Sequence, residues 1–340
     1  MRRFYPYALV LGVFFATRIF DTPPEYEKGW LALAIGLGLV GLLSKPLIDK
    51  NPRVLSFFYA AGAAAAFGMF PKVLKSPVST LGLQWSAGLA LVLFILFFRI
   101  PAPILARIRR IYIQLAPLFI LDILIQAVRR VADDHTLLLG NPSLQGCLIA
   151  ALLPFIEAWY IFWPGVLAVA LTLASMPLAA LVPVIWFRFP KIKARYKLGT
   201  LLAGFVTCAY IYPEYLTPRG RFNVWREAYG WWVSEPSRLL YGAGLGTSQI
   251  LVPYIQASNG MPLTQRTFFF SFHNDYAQTV FEWGVPLAIC AGLLLLHRVR
   301  VTTGARRVAC YSFMISMFGN YMLHHPFTLI FGFALLWSSL

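Results

Sequence analysis

Apolar stretches of about 15 to 22 residues recur from one end of this chain to the other, separated by short runs rich in Lys, Arg, Pro and Gly. This recurrence limits the fold more than any motif does. In a bilayer every backbone amide must find a partner inside its own segment, and a bundle of helices meets that demand. The chain of 340 residues is 59% hydrophobic and only 12% charged, with a mean hydropathy of +0.68, which is too apolar for a soluble domain of this length. The expected fold class is an all-α polytopic membrane protein forming one integral membrane domain over residues 1–340. Candidate spans are residues 4–20, 29–44, 54–71, 79–98, 111–128, 145–161, 162–174, 176–188, 198–212, 277–296, 307–322 and 326–340, about twelve transmembrane helices in all.

Charge sets the orientation. A net charge of +16 on a soluble chain would suggest a nucleic-acid partner, but here the basic residues crowd into short connections, so no nucleic acid is expected. The segment 145–188 holds either two ordinary spans or three short ones, broken near Trp163-Pro164-Gly165 and Ser175-Met176-Pro177. Only three spans put Arg188, Lys191, Lys193, Arg195 and Lys197 on the cytoplasmic side with the other basic connections. Both termini are then cytoplasmic, and the N-terminal MRRFYPYALVLGVFFATRIF reads as a retained first span. The four cysteines, Cys147, Cys208, Cys290 and Cys310, fall inside apolar segments without metal-binding spacing, so no disulfide and no metal is expected.

One connection is too long to be a turn. Residues 213–276, outside the cytoplasm on this topology, form a polar loop with three features of interest. Arg219, Arg221, Arg226 and Arg238 form a basic cluster. On a helix beginning near Phe222, Trp225 and Tyr229 would share a face. Guanidinium groups grip phosphate through paired donors, which suits a lipid pyrophosphate, though a solvated or headgroup-facing patch has the same composition. The run Tyr241–Gly246, YGAGLG, has no strand before it, so its glycines point to a tight turn or a close approach rather than a dinucleotide site. His273, Asn274 and Asp275 precede the next span. A histidine there is placed to act as a base near neutral pH, with its neighbours orienting it, although a lone interfacial histidine is the commoner case.

Other polar residues have plainer readings. Asp122 and Glu157, within spans, are expected to pair with basic residues inside the bundle. Asp21, Glu25 and Glu27, in the proline-rich DTPPEYEKG, fit a plain connecting turn as well as an acidic loop motif of another class of lipid-dependent glycosyltransferase, and nothing in the sequence brings His324 or His325 to His273.

In order, GNPSLQGCLIAALLP (Gly140–Pro154), RGRFNVWREA followed by YGAGLG, and HNDYAQTVFEWG (His273–Gly284) resemble the O-antigen ligase and O-antigen polymerase superfamily of bacterial membrane glycosyltransferases. The resemblance covers roughly the last 200 residues; the earlier spans match only in number and polarity. It implies a GT-C-like fold in the bacterial inner membrane and a metal-independent, inverting reaction without cofactor. In that reaction a glycan passes from an undecaprenyl-diphosphate carrier to a hydroxyl of an acceptor glycan or lipid A core on the periplasmic face. By the same resemblance His273 would take or position the acceptor proton, and Arg221 with Arg219 or Arg226 would stabilise the departing pyrophosphate. Many members carry Ser-Arg where this chain has Ser175-Met176, which leaves two readings: a chain that is not fully active, or one that uses Arg219 or Arg238 for the second phosphate contact. A lipid-linked glycan transporter would also want arginines. Transporters, however, tend to show internal repeats and midplane charge, and this chain concentrates its polarity in one outer segment. A non-catalytic subunit of an assembly complex is the third reading.

Overall fold

The structure, a computed structural model, describes residues 6–8, 10, 11, 14, 102–129, 138, 139, 141–172, 174–191, 193, 195, 199, 219–243, 248–258, 272, 274–320, 322, 323 and 325–337. The expected spans 29–44, 54–71 and 79–98, and all of 198–212 except residue 199, lie outside the described residues. Among the described residues the fold is helical, with no strand. The helices, in chain order, are α1 (Ala102–Arg129), α2 (Pro142–Leu152), α3 (Trp159–Leu171), α4 (Ser175–Arg188), α5 (Arg219–Val233), α6 (Pro236–Tyr241), α7 (Ser248–Ser258), α8 (Asp275–Trp283), α9 (Val285–Val301), α10 (Gly304–Ser316) and α11 (Pro326–Trp337). A 3-10 turn, Leu153–Phe155, extends α2.

Only α1, through Pro103–Val128, is both long and apolar enough to cross a membrane among the described residues. It starts earlier than the expected span, because Arg107, Arg109 and Arg110 belong to its first turns rather than to a connection. The segment 145–188 is divided into three helices, with the first break earlier than expected and the second just before Ser175. Residues 156–158 separate α2 and its 3-10 turn from α3, and residues 172–174 separate α3 from α4. Pro177 falls in the first turn of α4, where an amide hydrogen has no intrahelical acceptor, so it starts the helix rather than ending one. Pro164 lies within α3 and does not end it. These helices have 11, 13 and 14 residues, about 16 to 21 Å of rise, less than a hydrocarbon core. The expected span 277–296 is also divided, at Gly284, into α8 and α9.

The chain clusters into two compact units. One contains most of α1 with α2–α4, α10 and α11, residues 273–275 and the end of α9. Its centre is α2, buried from Leu144 to Leu152 and packed against α3, α4 and α10. Asn141 starts α2 by accepting the Leu144 amide at 3.1 Å, and Pro142 follows at the first helical position. Gly146 brings α2 close to its neighbours: a Cβ there would stand 2.8 Å from Thr172 Cγ2 and 3.1 Å from Pro177.

This unit is polar at both ends in different ways. At one end Arg109 lies over the Phe155 ring, Arg188 donates to the Glu157 carbonyl at 2.7 Å, and Arg306 donates to the Leu335 and Leu336 carbonyls at 2.6 and 2.9 Å. Those last two bonds satisfy acceptors at the C-terminus of α11. α10 packs against the 3-10 turn that carries Phe155, so the basic ends of α1, α4 and α10 gather together. At the other end stand amides and hydroxyls: Asn320 Nδ2 donates to Ser143 Oγ at 3.1 Å and to Cys147 Sγ at 3.1 Å.

The other unit holds α5, α6, α7, most of α8 and the start of α9. The described part of the segment expected as a loop is therefore largely helical. Its core is Val224, Ala228, Ala243, Val252, Ile255, Phe272 and Phe281, flanked by Trp225, Trp231 and Trp232.

Candidate functional site

The helix expected near Phe222 begins three residues earlier, at Arg219, so Arg219, Arg221 and Arg226 all ride on α5. One face of α5 buries Val224 and Ala228, and Trp225 Nε1 donates to the Phe272 carbonyl at 2.8 Å. That bond ties the arginine-bearing helix to the residue just before His273. Arg226 and Tyr229 are exposed, so Tyr229 does not share the inward role of Trp225. The side chains of Arg219 and Arg221, and the whole of His273, lie outside the described residues.

Arg238 already has internal partners. Its guanidinium sits 4.0 Å from the Trp231 ring centroid, pairs with Glu235 at 2.9 Å, and donates to the Trp231 carbonyl at 2.7 Å and to Ser234 Oγ at 3.0 Å. Trp232 Nε1 closes the corner by donating to the Arg238 carbonyl at 2.9 Å. A guanidinium with this many contacts fixes the turn between α5 and α6, and phosphate would have to compete with them.

The described part of the YGAGLG run, Tyr241 to Ala243, turns against the chain's own backbone. Gly242 has φ +65 and Gly284 φ +78, and the Ala243 amide donates to the Phe281 carbonyl at 2.8 Å. Parts of two of the sequence motifs thus interlock, Gly242 and Ala243 with Phe281–Gly284. Beside them is a buried polar cluster that sequence reading did not single out. Glu282 accepts from Gln278 Nε2 at 3.0 Å and from the Ser248 hydroxyl, and all three residues are shielded from solvent. The i, i+4 spacing of Gln278 and Glu282 on one helix was the available signal. Ser248 is 34 residues away and had none.

Asn274 is half-buried immediately before α8, and Asp275 opens that helix fully buried. The Asp275 amide donates to the Met317 carbonyl at 2.9 Å, and its Oδ2 accepts the Leu323 amide at 2.9 Å. Both bonds attach Asp275 to the turn after α10, at the end of its unit opposite the arginines. His325 lies in the same turn region, 2% exposed, and burial pushes its pKa down to about 3, so the imidazole is neutral at physiological pH. His324 lies outside the described residues.

Asp122 accepts from amides, with Gln126 Nε2 at 2.8 Å, Gln145 Nε2 at 2.9 Å and the Leu138 amide at 3.0 Å. Glu157 is exposed, and it is its backbone carbonyl, not its carboxylate, that receives Arg188. Among the described residues no three His, Cys, Asp or Glu side chains gather closely enough to hold a metal ion. Compared with protein-family models and with proteins of curated function, the chain matches none.

Proposed function

We propose that this chain is a multi-pass inner-membrane glycosyltransferase, of about twelve spans, that moves a glycan from undecaprenyl diphosphate to an acceptor hydroxyl on the periplasmic face. The observation that carries the reading is the polarity of the α2-centred unit. Its arginines stand at one end, and Asp275, two residues after His273, is held at the other by Met317 and Leu323. A membrane protein with cytoplasmic arginines would present that segment on the outer face. The order of the three motifs further supports the reading.

In this scheme His273 takes or positions the proton of the acceptor hydroxyl, whose oxygen attacks the anomeric carbon. Arg221, with Arg219 and Arg226 on the same helix, stabilises the pyrophosphate as its bond to that carbon breaks. Asn274 and Asp275 are positioning residues, Asp275 through its two backbone contacts. The short helices between 142 and 188 would cross a bilayer only as a set packed on longer partners. A non-catalytic assembly role gains one point from Met176, which packs beside Gly319 where many relatives in the resembled superfamily carry arginine.

The test is transfer by the purified chain in proteoliposomes containing an undecaprenyl-diphosphate-linked glycan and an acceptor. His273→Ala and Arg221→Ala should each lower transfer by about 100-fold or more without reducing folded protein. Normal transfer in both variants would end the catalytic assignment, and no transfer by the parent chain would favour the assembly role. For topology, an impermeant maleimide should label Ser258→Cys from the periplasm.

A further inference from the structure

The outward faces of α3 and α4 carry an ordered pattern that neither helix needs for its own packing. Along α3, Trp159, Trp163 and Leu167 recur every fourth residue and are 71%, 49% and 53% exposed, with Tyr160 beside them at 65%. The stripe is aromatic at one end and aliphatic at the other, where Leu171 is also exposed. On α4 the exposed aromatics, Trp186 and Phe187, stand at the C-terminal end.

These two aromatic ends are one surface. Trp163 stacks on Phe189 at 5.7 Å, the Arg188 guanidinium lies 5.0 Å from the Phe162 ring centroid, and Arg188 bonds the Glu157 carbonyl. Immediately after Phe189 come Lys191 and Lys193, both exposed. The surface therefore grades from aliphatic through aromatic to cationic. That is the order met on passing from the acyl chains of a leaflet to its glycerol level and then its phosphates.

We propose that this α3–α4 surface is a binding site for an anionic phospholipid of the cytoplasmic leaflet. Lys191 and Lys193 pair with its phosphate, the Trp159, Tyr160, Trp163 and Trp186 rings lie at its glycerol level, and Leu167 and Leu171 line its acyl chains. Charge complementarity selects the occupant. Zwitterionic lipid gives the lysines no net partner, whereas an anionic headgroup beside two lysines gains attraction from both. The inference rests on the membrane part of the reading above and not on glycan transfer.

The experiment is native mass spectrometry of the full chain in neutral detergent, titrated with dioleoylphosphatidylglycerol, dioleoylphosphatidylcholine or inorganic phosphate. Phosphatidylglycerol should bind at least about tenfold more tightly than phosphatidylcholine, and Lys191→Gln with Lys193→Gln should remove most of that preference. Added salt should weaken phosphatidylglycerol binding to the unaltered chain, which keeps the test open if the double variant folds poorly. Equal binding of the two lipids, an unchanged double variant, or full competition by inorganic phosphate would each overturn the proposal. Carbonate extraction separates the failures. A chain released from membranes loses both readings, and a retained chain without lipid preference loses only this one.

Discussion

Gly242 and Gly284 meet backbone to backbone: a Cβ on Gly242 would stand 2.5 Å from the Gly284 amide nitrogen and 2.2 Å from the Glu282 carbonyl oxygen. A Cβ on Gly284 would lie 2.4 Å from the Leu240 carbonyl oxygen, and both glycines have positive φ. Space and conformation therefore exclude a side chain at either position, and the atoms in the way are backbone that cannot swing aside.

Gly242→Ala or Gly284→Ala should thus cost more than about 3 kcal/mol, combining backbone strain with the clash. Gly230, within α5, is the control, because nothing lies inside 4 Å of where a Cβ on it would stand. Gly230→Ala should be neutral or stabilising by up to about 1 kcal/mol. Thermal unfolding in detergent compares the three, and equal effects would contradict the interlocked turn.

Asp122 is the hub for the Gln126, Gln145 and Leu138 donors. Alanine there leaves the Leu138 amide and part of the two glutamines without an acceptor, and Gln145 is completely buried. Asp122→Ala should lower stability by about 3 kcal/mol, and Asp122→Asn, which keeps one oxygen, by about half that. Denaturant titration in micelles checks the order; an alanine variant as stable as the parent would show that the hub contributes nothing.

Helix was legible in the chain because apolar runs and charge clusters mark segments, and the basic run after Arg188 correctly separated three helices within 145–188. Their ends were not legible from proline alone. Pro177 lies in a first turn, where it removes no helical bond, and Pro164 sits inside α3. At the candidate site, Arg219, Arg221 and Arg226 were readable as a basic cluster, but a helix start near Phe222 left Arg219 and Arg221 outside that helix, and the fate of Arg238 was not readable. Its contacts come from Trp231, Ser234 and Glu235, which any sequence reading would leave as neighbours without geometry. Glu282 was missed for a related reason: a carboxylate at the end of a short helix acquires meaning only when Ser248 reaches it from a distant part of the chain.

His325 predicts a pH dependence. Its folded-state pKa is pushed down to about 3 by burial, against about 6.5 when unfolded. Between those values the unfolded chain binds a proton that the folded chain refuses, so stability falls as pH drops below about 6.5 and the loss is complete near 3. From pH 6.5 to 4.5 this residue alone should cost about 2 to 3 kcal/mol. His325→Gln should flatten that part of the profile in micelle denaturation at a series of pH values. An unchanged slope would place the proton uptake elsewhere.

Met176 and Gly319 are coupled through a single close approach, since a Cβ on Gly319 would come 2.0 Å from Met176 Cγ. The obstacle is a side chain rather than backbone, and methionine repacks more readily than any branched residue. Gly319→Ala should therefore cost only about 1 to 2 kcal/mol, well below the penalty at Gly242. Shortening the obstacle should recover it: in Met176→Ala with Gly319→Ala the new methyl group occupies space that the methionine gave up. The double variant should be more stable than the sum of the single effects by about 1 kcal/mol, within the range seen for residues in contact. Strict additivity in thermal unfolding would mean that the two residues do not share the space that the geometry assigns to both.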